Sequence, residues 1–292
     1  MIFKNSPGER LFDVFLYTLM AIVFLLMVYP FLYVFNYSIS SVAQVKNPLL
    51  IIPEGIQLES YAIIFRDPTM YRAMLVSVAR SIVGPIFMLM VTATGGYVIS
   101  RPHLVFGKFF RMFFLFTMYL NAGIIPVYLV MQSLGLTNSF LVYIMPMAVN
   151  AFFMMLVKTY IEGIPSSLEE AVLIDGGTEF DAYFRVILRL CLPVNAAILL
   201  FACIQQWNSF IDTQLYNAMS PKLYTMQYVL YNALAVQMQQ SLEEAKQRAG
   251  NIVSSQSLKM AITVVTIVPI MCVYPFLQRY FVSGMLVGSI KA

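Results

Sequence analysis

The apolar positions of this chain fall in long blocks rather than in single-face stripes. Six stretches, about residues 11–37, 73–99, 109–131, 138–160, 194–211 and 260–281, reach or approach the roughly 20 mostly apolar residues that a bilayer crossing needs. Hydrocarbon offers no water to the backbone amides, so blocks of this length are expected as helices; lipid-facing barrel strands would instead alternate over about ten residues. The pattern predicts an all-α membrane protein with six transmembrane helices in one domain over residues 1–292. Six crossings bring the chain back to its starting side. Two long polar loops, 38–72 and 212–258, then lie on one side and the charged loop 161–193 on the other.

Basic residues orient the array. The short loop from Arg101 to Arg111 also holds Lys108, whereas the equally short loop from Gln132 to Thr137 carries no charge. Lys and Arg concentrate in short cytoplasmic loops, so both termini and residues 161–193 are expected on the cytoplasmic side, with the long loops outside. Those loops are long enough to form small caps or to receive another protein.

The loop 161–193 reads as two short helices. Ser167 and Glu170 have the spacing of a capping box, which starts a helix over about 168–174. Asp175, Gly176 and Gly177 follow as a turn. Thr178 is placed to cap the next helix, with Glu179 and Asp181 near its positive end and Arg185 and Arg189 further along. On that helix Phe180, Tyr183, Phe184 and Ile187 stand at i, i+3, i+4 and i+7, one apolar stripe that something must cover. Either the protein's own spans or another subunit would do so.

Composition narrows the function. Of 292 residues 60% are hydrophobic and 11% charged, with a mean hydropathy of +0.78, against roughly 45–50% and 25% in soluble domains. The net charge of +4 is scattered among apolar runs, so a nucleic-acid partner is not indicated. Cys191, Cys203 and Cys272 have no CxxC spacing, and His103 is the only histidine; no metal site, disulfide framework or proton relay can be assembled from them. The first apolar run is too long for a signal peptide core and no small-residue cleavage site follows it, so it is expected to remain as a span. There is no GxxxxGK[ST] motif, and no cluster of acids with a nucleophile. A transport subunit that hydrolyses no ATP itself is expected.

The run Glu170-Ala171-Val172, with Asp175-Gly176 and then Val186-Ile187-Leu188 and Pro193, resembles the signature of permease subunits of type I ATP-binding-cassette importers. Two positions depart from it: Val172 stands for the second alanine, and Arg189 for the first proline, which lengthens the second helix. The stretches from Tyr119 (YLNAGIIPVYLVMQSLGL), from Gln205 (QQWNSFIDTQLY) and at the C-terminus (VYPFLQRYFVSGMLVGSIKA) narrow the resemblance to the maltose-permease-like oligosaccharide group. It implies that Glu170, Ala171, Asp175, Gly176, Gly177, Phe180, Tyr183, Phe184 and Ile187 couple to an ATPase. It also implies a second homologous permease, two ATPase subunits that carry ATP and Mg while this chain binds no cofactor, an extracytoplasmic binding protein, a carbohydrate substrate and a bacterial cytoplasmic membrane. A tail containing Gly284, Gly288 and Lys291 would reach towards the ATPases. A permease for a non-sugar solute is the alternative; an intramembrane enzyme and a self-sufficient transporter fit less well, because the spans lack acid clusters and internal repeats.

Polar residues inside spans are expensive and suggest function. Tyr119, Asn121, Asn150, Gln205, Gln206, Trp207 and Asn208 are the expected substrate-path residues, since an aromatic plane beside carboxamides suits a sugar; Trp207 equally suits an interfacial anchor. Arg80 is expected either to snorkel or to pair with a neighbouring subunit, rather than to bind ligand.

Overall fold

The computed structural model describes residues 7–41, 49–120, 122–244 and 255–289. Among these no strand is formed beyond an isolated bridge between Ser40 and Ile56, so the all-α expectation holds. The contacts divide the chain into two compact units, Met1–Asp67 with Ala233–Ile267 and Pro68–Asn232 with Val268–Ala292, where the sequence suggested one domain.

The first unit is built on α1 (Pro7–Ile39), whose most apolar window has no buried residue. A helix apolar all round and uncovered by its own chain is what a lipid-facing span requires. Its C-terminal end is tied to the loop behind it. The Asn36 carboxamide donates to the carbonyls of Leu50 and Ile51 at 2.9 and 2.7 Å, and Ser38 bonds the Tyr61 hydroxyl of α2 (Glu59–Arg66) at 2.7 Å. The described part of the first long loop thus folds back on the end of α1.

The second unit is organised around α3 (Pro68–Ser100), a 33-residue helix with Pro85 inside it. Its buried positions include Ala73, Ser77, Ser81, Gly84, Met88, Thr92, Ala93 and Gly96, nearly all small and about one turn apart, which lets neighbouring backbones approach closely. Helices α6 (Ala151–Glu162) and α10 (Leu192–Asn208) pack on it. The core between them consists of Met88, Tyr97, Phe153, Val157, Ile161, Tyr183, Ile187, Cys191, Val194, Ile198 and Ala202.

Two expected straight spans are broken. The 109–131 range is α4 (Gly107–Tyr119) and α5 (Ile124–Ser133), with Pro126 in the first turn of α5, where its missing N–H costs nothing. The 138–160 range begins as two 3₁₀ turns, Phe140–Tyr143 and Met145–Met147, and bends by 47° into α6. Pro146 interrupts the first part, and the Asn150 side chain caps α6 by accepting from the Phe153 amide at 3.0 Å. Hydropathy counts neither a proline's lost donor nor a cap, so both breaks were invisible to it. The 194–211 span is α10 continued by α11 (Ile211–Tyr216); the second long loop also holds α12 (Met226–Glu244), and the 260–281 span lies within α13 (Ser255–Ser289). Helix α13 stays helical past Gly284 and Gly288, while Lys291 lies outside the described residues.

Candidate coupling element and translocation surface

The charged loop folds as α7 (Ser167–Ile174), a turn, α8 (Glu179–Asp181), a π-helical turn at Ala182–Ile187 and α9 (Leu188–Leu190). The first capping box expected from the sequence is not formed. Ser167 is already helical, the capping position belongs to Ser166, and Ser166 makes no side-chain cap. A box is formed eleven residues on instead. The Thr178 hydroxyl accepts from the Asp181 amide at 3.3 Å, and Asp181 accepts from the Thr178 amide at 3.0 Å. Arg185 adds an ion pair to Asp181 at 3.0 Å. These donors, the Thr178 amide above all, hold the Asp181 carboxyl below its ordinary pKa.

The turn between the helices depends on glycine at two adjacent positions. Gly176 has φ of +80°, a conformation that side chains with a Cβ rarely adopt. At Gly177 a methyl would stand 2.7 Å from Cγ1 of Val172 and 2.9 Å from its carbonyl oxygen. The hairpin therefore closes tightly, and Asp175, Gly176 and Glu170 are left exposed at its tip and side, with Ala171.

The predicted four-residue stripe is split. Tyr183 and Ile187 are buried in the core, Ile187 completely, whereas Phe180 and Phe184 are 77% and 58% exposed. The cause is the π turn: its i→i+5 bonding changes the angular step that the 3.6 periodicity assumed. Tyr183 and Ile187 are corrected from docking residues to anchors on the protein's own spans. The outward apolar surface is instead Phe180, Phe184, Leu173 and Ile174, the last 84% exposed. The helix continues through Arg189, which unlike proline keeps its N–H, and the chain turns by 72° at Cys191 into α10 with Pro193 in its first turn.

Three ties anchor this element to the C-terminal end of α3. Arg101 makes a two-pronged ion pair with Glu169 and lies over the Tyr97 ring at 4.2 Å. Tyr97 in turn packs on Tyr183, ring centroids 4.6 Å apart, and donates to the Glu179 carbonyl at 3.4 Å. Thr94 bonds the Tyr183 hydroxyl at 3.2 Å. Sequence reasoning singled out Glu170 and missed Glu169. The acid that is held is the neighbour, and no spacing rule links it to Arg101, 68 positions earlier.

In the N-terminal half of α3, Arg80 is fully buried and all five of its donors are used. It bonds the Gln206 side-chain oxygen through Nε and Nη2 at 2.9 and 2.7 Å, both carboxylate oxygens of Asp212, and the Ser209 carbonyl at 3.3 Å. Its guanidinium lies 4.3 Å from the Tyr143 ring centroid. Arg80 neither snorkels nor waits for another subunit; its partner is Asp212, which sequence reading had left in an outer loop. Gln206 is corrected likewise: it is buried, and its amide donates to the Tyr143 carbonyl at 2.8 Å, so both ends serve the Arg80 cluster. Trp207 is also buried, whereas Gln205 and Asn208 are exposed. Asn150 lines an open cavity of about 620 Å³ with Phe114, Thr117, Met118 and Phe152. Tyr119 is 86% exposed beyond that cavity, and Asn121 lies outside the described residues. Among the described residues, the expected path residues are thus not brought to one place. Among the described residues no group of three His, Cys, Asp or Glu side chains is placed to hold a metal.

An all-helical membrane protein with a tethered, charged helix-turn-helix and no nucleotide motif is the architecture of an importer's permease. A family model described as "Binding-protein-dependent transport system inner membrane component" matches residues 99–287, and the chain belongs to that family. It is 34% identical over 284 residues to the polygalacturonan/rhamnogalacturonan transport system permease protein YtcP of Bacillus subtilis (strain 168), covering 97% of this chain and 99% of that protein. Protein LplC of the same organism is 33% identical over 288 residues, covering 98% and 97%. Among solved structures, a bacterial ABC transporter involved in the import of the acidic polysaccharide alginate has a chain that matches with a TM-score of 0.85 at 28% identity, over 95% of this chain and 99% of that one. The importer-permease resemblance of residues 170–193 is borne out.

Proposed function

We propose that this chain is one of two homologous permease subunits of an ATP-driven importer and forms, with the other, the path for an oligosaccharide. Two ATPase subunits carry the ATP and Mg, an extracytoplasmic binding protein delivers the substrate, and the chain itself catalyses no reaction. It lies in a bacterial cytoplasmic membrane with both termini inside, as the charge of the loop from Arg101 to Arg111 favours.

The observation that carries this reading is the coupling element. Its inner face is fastened to α3 while Ile174, Phe180 and Phe184 stand uncovered beside the exposed acids Glu170 and Asp175. Exposed apolar side chains rimmed by charge mark a protein interface, and an ATPase groove is the partner that fits. The carbohydrate assignment is supported by the polygalacturonan, rhamnogalacturonan and alginate systems in which similar chains work. It also suits the cavity at Asn150, where aromatic rings stand beside a carboxamide and a hydroxyl. That cavity has no basic residue in its lining, so on this subunit contacts fall to sugar hydroxyls and ring faces rather than to uronate carboxylates.

Uptake by membrane vesicles containing the complete transporter tests the substrate class. Labelled oligogalacturonides, arabino-oligosaccharides, an amino acid mixture and phosphate would be compared. An oligosaccharide is expected to accumulate; accumulation of only the amino acids or phosphate would contradict the reading.

A further inference from the structure

Helix α3 is held by an arginine at two levels. Near its outer part Arg80 engages Gln206 at the end of α10 and Asp212 in α11. Just past its cytoplasmic end Arg101 engages Glu169 in α7. The 21 residues from Arg80 to Ser100 form one continuous helical run with Pro85 inside it, about 30 Å long at 1.5 Å per residue. Asp212 also lines a cavity of about 340 Å³ with Tyr143, Ser209 and Tyr216. Both clamps are two-pronged carboxylate–guanidinium pairs, which fix orientation as well as distance.

The coupling element has two mechanical routes outward. One is the backbone itself, through the 72° bend at Cys191 into α10. The other is the contact of α7 and the π turn with α3. On the second route Tyr97 and Tyr183 pack the π turn on α3, and the Arg101–Glu169 pair is the ion pair that ties α7 itself to the end of α3.

We propose that Arg101 and Glu169 are positioning residues that make α7 and α3 move as one body, so that displacement of the coupling element is delivered along α3 to the Arg80–Asp212 cluster. Without the pair, α7 keeps its packing on the π turn but loses its ion-pair tie to the end of α3, and its motion is absorbed in the hairpin. This inference rests on the reading that residues 161–193 meet an ATPase.

Hydrogen exchange of the complete transporter in lipid nanodiscs, with and without ATP and vanadate, tests it. In the wild type, nucleotide trapping is expected to change exchange at both 167–174 and 209–216. In Glu169→Ala the change at 167–174 persists and the change at 209–216 is lost. Arg101→Lys, which keeps the cation over Tyr97 but lacks the two-pronged geometry, gives the same pattern and serves if the alanine variant does not assemble. Persistence of the 209–216 change in these variants would assign transmission to the π turn's packing or to the α10 route and overturn the inference alone. No wild-type change at 167–174 would overturn the ATPase reading, and the inference with it.

Discussion

Gly176 shows how one backbone angle constrains the coupling hairpin. Its φ of +80° has open space around it, so what a substitution there meets is conformational strain rather than a clash. Valine, branched at Cβ, is costly at positive φ, about 1–3 kcal/mol. Gly176→Val is expected to leave the protein inserted but to reduce recovery of the ATPase subunits in co-purification several-fold; full recovery would show that the turn is not part of the interface. The buried ion pair is a second single-residue test. Removing one member of such a pair strands a charge, at about 3–5 kcal/mol. Asp212→Ala is therefore expected to lower the melting temperature in detergent markedly, and Arg80→Met combined with Asp212→Leu to recover much of the loss. Here sequence reading went only halfway: an arginine inside an apolar block announces that a partner exists, but Asp212 lies 132 positions away and nothing local points to it.

Elements were legible where their signals are local. The helix over about 168–174, the glycine turn and the Thr178 cap follow from propensity and turn chemistry, and the structure forms all three, the helix starting one residue earlier at Ser167. What failed was phase. The expected box at Ser167 and Glu170 lost to Thr178 and Asp181, and the stripe from Phe180 to Ile187 assumed a regular helix where a π turn is formed. The same Asp181 gives the element a pH signature. Its carboxyl is held below its ordinary value by the Thr178 donors and by Arg185. A depressed pKa contributes stability that is complete above the unfolded value, about 3.9, and lost as pH falls through the folded one. Amide exchange over 178–182 is expected to be insensitive to pH-driven opening near neutrality and to rise in acid. Asp181→Asn should abolish that acid limb and raise opening at neutral pH; an unchanged acid limb would show that another group controls the turn.

For the molecule as a whole, the six apolar blocks were sufficient to assign the class, because hydrocarbon tolerates almost no other backbone arrangement. They were insufficient for the path, since Pro146, Asn150 and Pro126 break two of the blocks and a sum over hydropathy passes across them. Burial likewise redistributed the candidates: Gln206 and Trp207 turned inward while Gln205 and Asn208 remain exposed. The central claim is that this chain moves solute only when a partner ATPase drives its coupling element. The complete transporter in proteoliposomes, loaded with ATP and Mg and supplied with binding protein and a labelled oligosaccharide, tests that claim directly. Uptake is expected with the native ATPase and absent when that ATPase carries a hydrolysis-dead substitution. Equal uptake in both, or uptake by liposomes holding the permease subunits alone, would contradict it.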